Sequence, residues 1–133
     1  MKYVFVYGTL RAGEINDINL AAARHAIRQP RLVGQSSVAG RLFDFGRYPG
    51  MIADTQAAPV FGDVYEIDEA LVPVLDEIEE VYPGVEGQFV SRQVSVEVQG
   101  EQIECLYYPI THRASEGLPQ IDGGDWIAHR LAR

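Results

Sequence analysis

The stretch GQFVSRQVSVEVQGEQIECLYYPI, residues 87 to 110, constrains the fold of this chain more than any other. It alternates apolar and polar side chains over two long segments on either side of Gln99-Gly100-Glu101. A period of two interrupted by a glycine-bearing break is the pattern of a β-hairpin. An isolated hairpin is marginal in water, so further strands must cover its apolar face. The chain offers them. Tyr3 to Tyr7 form a short run rich in β-branched and aromatic residues, RLVGQSSVAGRLFDF reads as a long strand bent at Gly34 and Gly40, and Val60 to Ile67 read as another strand. Between them, Pro49-Gly50 is turn chemistry followed by a brief apolar run.

Helical spacing appears in three places. NDINLAAARHAIRQP predicts a helix near residues 17 to 28 that ends before Pro30, and DEALVPVLDEIEE predicts the clearest helix, residues 68 to 80, with Asp68 as N-cap. Pro73 removes one backbone donor there and is expected to kink the first turn. A short helix is expected from Trp126 to Leu131 in an otherwise loop-rich tail. About six strands and two or three helices, in an order unlike the regular alternation of a doubly wound sheet, predict a mixed α+β fold with its sheet curled towards a barrel. At 133 residues the expectation is one domain, residues 1–133.

Charge narrows the partners. Nineteen acidic against eleven basic residues give a net charge of -8, and the basic residues are scattered. Phosphate backbones and anionic lipid surfaces would be repelled, so neither nucleic acid nor membrane is expected as a partner. Cys105 is the only cysteine, which excludes an intrachain disulfide and a Cys-based zinc site and fits a reducing compartment. The N-terminus shows neither a signal-peptide h-region nor a cleavage site, and a cytoplasmic location is the expectation.

Two places could carry chemistry. On the helix at residues 68 to 80, Leu71, Val74, Leu75 and Ile78 form one apolar stripe; Glu80 points away from it, Asp76 and Glu77 lie well off it, and Glu79 sits at its edge. A carboxylate beside apolar side chains has its charged form disfavoured and can exchange a proton near neutral pH. Spacing alone leaves the plainer alternative open, an amphipathic helix whose boundary acid is solvated. The second place is Tyr7-Gly8-Thr9-Leu10, straight after the first strand. With Gly8 free to take a positive φ, consecutive N–H groups could form a concavity for a carboxylate or a developing oxyanion, or the stretch could be only a tight turn that needs glycine. It lacks the lysine and hydroxyl pair of a phosphate-binding P-loop.

Other residues point to structure. His25, His112 and His129 have no metal-ligand spacing and read as surface or capping residues. Ser36 and Ser37 lack a nucleophile-elbow context, and Cys105 reads as a small core residue. Tyr107 and Tyr108 are adjacent, so one should face inward and the other outward.

Taken together, YVFVYGTLRAG, GRYPGM, GDVYEID, LDEIEE, FVSRQVSVEV and DGGDW, in that order from Tyr3 to Trp126, resemble the γ-glutamylcyclotransferase-like proteins. The resemblance implies a small mixed β-barrel flanked by helices. It implies a substrate-binding loop at Tyr7, Gly8, Thr9 and Leu10 and a general acid/base at Glu79. It also implies a reaction in which a γ-glutamyl amine or γ-glutamyl amino acid closes to 5-oxoproline and releases its amine, with no metal, nucleotide or other cofactor. Two positions depart from the family pattern. Glu80 stands where glycine is usual, with VYPGVEGQ lengthening the connection that follows, and Phe89 stands where many members carry tyrosine. The Gly-Thr-Leu loop resembles members that act on γ-glutamyl amines. A non-catalytic module that binds a small carboxylated metabolite in the same pocket is the alternative, and hydrolysis of an amide or ester there is a third possibility.

Overall fold

Val4, Phe5, Val6 and Tyr7, along and just after the first strand, are buried on alternate sides of a sheet covered on both faces, which explains their continuous apolar run. The structure is a computed structural model that describes residues 1–82, 84 and 87–133. Strand β1 (Lys2–Val6) lies in the middle of a six-stranded sheet, antiparallel to β4 (Pro59–Ile67) and parallel to β6 (Glu101–Tyr107). With β2 (Arg31–Asp44), β3 (Pro49–Ala53) and β5 (Arg92–Val98) the order is β3-β2-β4-β1-β6-β5. Phe5 and Tyr7 point to the concave side with Val38, Leu42, Met51, Val64, Val96 and Trp126. Val4 and Val6 point to the other side, into a second core with Ile18, Ala22, Leu71 and Leu75.

The sheet curls into a half-barrel flanked by helices. β2 carries the bend: its register against β4 shifts between Leu32 and Gly34, and from Gly40 onward it pairs with β3 instead. A Cβ on Gly34 would lie 2.7 Å from Val98 Cγ1, and Ser36 Oγ donates to the Glu97 carbonyl at 2.6 Å, so β2 closes on β5 through side chains rather than a ladder. The hairpin is tight. Gln99 and Gly100, both with positive φ, make its turn, and Glu101 already pairs with Val98.

Several expected boundaries move for local reasons. The first helix, α1 (Ile18–Arg24), stops short of residue 28 because Ala26 takes φ 53° and the N–H groups of Ala26 and Ile27 donate back to the Ala23 and Ala22 carbonyls. This is a Schellman end with alanine in the usual glycine position. The helix expected at residues 68 to 80 begins as a 3₁₀ turn, Glu69–Leu71, capped by Asp68, and continues as α2 (Val72–Ile78). Pro73 falls in the first turn of α2, where a missing donor is tolerated. Pro49-Gly50 is not a turn: it opens β3, and the chain reverses one step earlier, where Gly46 has φ 102° and Phe45 N–H donates to the Tyr48 carbonyl at 3.0 Å. In the tail, a four-residue helix α3 (His112–Ser115) precedes α4 (Trp126–Ala132). Among the described residues, no helix is long and apolar enough to cross a membrane. The connection expected to be lengthened by VYPGVEGQ includes Pro83, Val85 and Glu86, which lie outside the described residues.

Candidate active site

At the end of β1 the chain turns sharply, and the turn forms one wall of a cavity of about 260 Å³. Tyr7, Gly8, Thr9 and Leu10 line it together with Glu79, so the two places singled out in the sequence meet here. Ile15, Asn16, Arg47, Tyr48, Phe89 and Tyr108 complete most of its wall.

The turn is held from behind. Arg11 N–H donates to the Gly8 carbonyl at 3.1 Å, Asn16 N–H to the Thr9 carbonyl at 3.0 Å and Ile18 N–H to the Leu10 carbonyl at 2.9 Å. Three successive carbonyls are thereby engaged, and no protein acceptor for the N–H groups of Gly8, Thr9 or Leu10 is found among the described residues. Gly8 does not adopt the positive φ expected of it. Glycine is required for another reason: a Cβ there would lie 2.8 Å from Pro49 Cγ, so the first turn of the cavity wall presses directly on β3. Leu10 sends its side chain into the helix-side core, and Tyr7 is also buried. The Tyr7 hydroxyl donates to the Tyr108 carbonyl at 2.8 Å and accepts from Met51 N–H at 3.1 Å. Burial, followed by the nearby Glu79 charge, raises its phenol well above the ordinary value, so Tyr7 is a neutral pin between three strands and their loops.

Glu79 caps the C-terminal end of α2 with helical dihedrals, its N–H donating to the Leu75 carbonyl at 3.0 Å. Leu75 is fully buried one turn earlier, which turns Glu79 towards the cavity. Burial alone raises its carboxyl from the ordinary 4.5 to about 7. A carboxyl with that value is divided between its two protonation states near neutrality, the condition under which one group can both take and return a proton.

The helix wheel placed Glu80 in water, and Glu80 is exposed, but the wheel does not describe its backbone. The helix has ended: Glu80 has φ 57°, its N–H donates to the Glu77 carbonyl, and Val81 N–H donates to the Asp76 carbonyl at 2.8 Å. This is a second Schellman end, which accounts for glycine as the usual residue at this position. Glu80 lines the mouth of the cavity.

Sequence reasoning missed part of the wall. Tyr107 and Tyr108 do take opposite faces of the sheet, but neither faces solvent, because both faces are covered. Tyr108 lines the cavity and donates to Asp76 Oδ1 at 2.6 Å, an acid the wheel placed well off the apolar stripe. Arg47 and Tyr48 come from the turn before β3, and the Tyr48 hydroxyl donates to Gln88 Oε1 at 2.7 Å across the mouth. Phe45, Tyr48 and Phe89 form an aromatic cluster there, with Phe45 and Tyr48 stacked at 4.9 Å. The only signal for this side was the GRYP turn itself. Cys105 is fully buried, and burial pushes its thiol up to about 11, consistent with a core residue. His25 and His112 are exposed, whereas the His129 ring is half-buried against Asp44, Nε2 to Oδ2 2.8 Å.

Comparison with known proteins identifies the family and the fold. Residues 4–128 match the family described as gamma-glutamyl cyclotransferase, AIG2-like. A protein of Vibrio cholerae is 36% identical over 125 residues, covering 92% of this chain and 93% of its own length. The gamma-glutamylaminecyclotransferase of Bos taurus is 30% identical over 137 residues, 92% of this chain and 74% of that protein. An AIG2-like protein from Mus musculus has the same fold, with a TM-score of 0.72 at 23% identity over 92% of this chain and 86% of the mouse chain. A match over nearly the whole length, on a half-barrel whose first strand ends at a carboxyl-lined cavity, places this chain in the gamma-glutamyl cyclotransferase, AIG2-like family.

Proposed function

We propose that the chain converts a γ-glutamyl amine or γ-glutamyl amino acid to 5-oxoproline and releases the amine, with Glu79 as the proton-transfer group. The observation that carries this reading is a carboxyl raised to about 7 in the same cavity as a turn whose N–H groups are left for a ligand.

The substrate's α-nitrogen attacks its own γ-carbonyl carbon. The new C–N bond closes a five-membered ring, and the bond from that carbon to the departing nitrogen breaks. Glu79 takes a proton from the α-ammonium so that the free amine can attack, and delivers it to the departing nitrogen as its bond breaks; the second proton, lost from the ring nitrogen as the lactam forms, is taken up by the released amine, and Glu79 ends in its starting state. Both reactants belong to one molecule, so holding it folded supplies much of the acceleration by orientation. The N–H groups of Gly8, Thr9 and Leu10 hold the γ-carbonyl oxygen or the α-carboxylate, and negative charge developing on that oxygen is stabilised by donors already in place. Tyr7 fixes the wall between β1, β3 and the segment after β6 rather than moving protons. The leaving group lies at the mouth, against Tyr48, Phe89 and Glu80. The Bos taurus relative is named for γ-glutamylamines, which supports amines as the first substrates to try.

The test is incubation with γ-glutamyl amines, γ-glutamyl amino acids and glutathione, with 5-oxoproline measured by mass spectrometry. Product from the native protein and none from Glu79→Gln is the expected result. Turnover by Glu79→Gln, or free glutamate in place of 5-oxoproline, would overturn it.

A further inference from the structure

The C-terminal helix lines no part of the cavity among the described residues, yet its side chains hold both loops that do. At one end is Glu14, only 8% exposed. Both its carboxylate oxygens are engaged by α4: Oε1 accepts from Trp126 Nε1 at 2.9 Å and Arg130 Nε at 3.0 Å, and Oε2 accepts from Arg130 Nη2 at 2.7 Å. Arg11, 7% exposed, adds a second tie, from Nε to Asp63 Oδ2 at 3.0 Å and from Nη1 to Asp125 Oδ1 at 3.2 Å. Asp125 is the N-cap of α4.

These ties reach the cavity wall in one step. Ile15 and Asn16, next to Glu14, line the cavity. Asn16 bonds Thr9 twice, through Nδ2 to Oγ1 at 3.1 Å and through its N–H to the carbonyl. At the other end of α4, His129 and Arg133 meet Asp44, and Arg133 Nη2 donates to the Gly46 carbonyl. The next residues, Arg47 and Tyr48, form the opposite side of the mouth. Trp126, fully buried in the half-barrel, fixes the helix between these ends.

We propose that α4 is a strut that sets the separation of the two cavity walls, with Glu14 the positioning residue for the turn at Gly8 to Leu10 and Arg133 that for the turn at Arg47 and Tyr48. Neither side chain lines the cavity, so each acts through the loop it holds. The proposal rests on the reading of that cavity as the cyclisation site. A turn that holds the folded substrate and meets the charge developing on its carbonyl oxygen lowers kcat/KM when it loosens, while the pH midpoint set by Glu79 stays where it is. Buried charged groups with all their partners are costly to disturb singly, which suits them to fixing a geometry.

The experiment compares native protein, Glu14→Gln and Arg133→Ala by steady-state kinetics over a pH range and by amide hydrogen exchange. Expected for Glu14→Gln is a kcat/KM lowered fivefold or more, an unchanged pH midpoint, and faster exchange at residues 8–17 while α2 stays protected. Arg133→Ala, on the surface and tolerant of substitution, should lower kcat/KM and speed exchange at residues 44–48. An unchanged kcat/KM in both variants overturns the strut, and so does a kcat/KM that falls in step with protection lost throughout the chain. If the native protein makes no 5-oxoproline, the functional reading fails by itself, and the exchange pattern at the two loops still decides for or against the strut.

Discussion

Glu79→Gln tests the electrostatics of the site without any substrate. The folded protein holds the Glu79 carboxyl at about 7, against an ordinary value of 4.5 that the unfolded chain restores. Between those two values the folded state binds one proton more than the unfolded state, so stability falls as pH rises through the window. At about 1.36 kcal/mol per pH unit the loss amounts to about 3 kcal/mol, complete near pH 8 and absent below pH 4.5. Glutamine fills the same space and does not ionise. The difference in unfolding free energy between Glu79→Gln and native protein should therefore grow in favour of the variant by about 3 kcal/mol from pH 4.5 to pH 8. Urea denaturation of both proteins at five pH values, with m held common, measures it, and contributions from every other titrating group cancel in the difference. A difference constant to within about 0.5 kcal/mol would refute the desolvated carboxyl, and with it the reason for choosing Glu79 as the proton-transfer group. The same substitution should lower kcat/KM by about 10²-fold or more. Charge, in this reading, is kept at the site against stability.

Further expectations concern pH, backbone and burial. Native kcat/KM should rise with pH through a midpoint near 7 as Glu79 becomes able to accept a proton, and a pH–rate profile on any turned-over substrate reads it. Ala26→Gly should stabilise the protein by about 0.5–1 kcal/mol in urea, because alanine pays for a left-handed φ that glycine adopts freely, partly offset by the freedom glycine gains on unfolding. Gly8→Ala brings a methyl to 2.8 Å from Pro49 Cγ, and a turn displaced by that contact should lose about 10²-fold in kcat/KM while Glu79 keeps its pH midpoint. Cys105 should resist a thiol reagent at pH 7.5 in the folded protein and react at once in urea, which a spectrophotometric thiol assay checks.

The strands were largely legible because a period of two survives wherever an element has one covered and one open face, as in β5 and β6. The bend of β2 was legible as well, since Gly34 and Gly40 mark a register shift and a change of partner. Legibility failed where the deciding contact lies far away in sequence. Pro49-Gly50 carries a turn signature, yet Gly50 is held in β3 by ladder pairing with Phe43 and by Ile110 packed against it. Helix ends failed for a similar reason: Ala26 and Glu80 are not residues that announce a left-handed position, so both helices were read too long. Tyr108 was half-read. Alternation gave its opposition to Tyr107, but no local pattern could show that α2 covers the outer face and offers Asp76 as acceptor. Gly8 was recognised as necessary for the wrong cause, because close approach to Pro49 is invisible before the fold is known.

The placement of β1 at the centre of the sheet also dictates an order of events during folding. The turn at Gly8 follows a strand that pairs with β4 and β6, both later in the chain, and Glu14 meets Trp126 and Arg130 only across sequence separations of 112 and 116 residues. Contacts that distant close late and slowly. The cavity of this chain is consequently a late product of its folding, and the apolar strand β1 must wait unpaired until β4 and β6 have been made, the interval in which the protein is most exposed to misassociation.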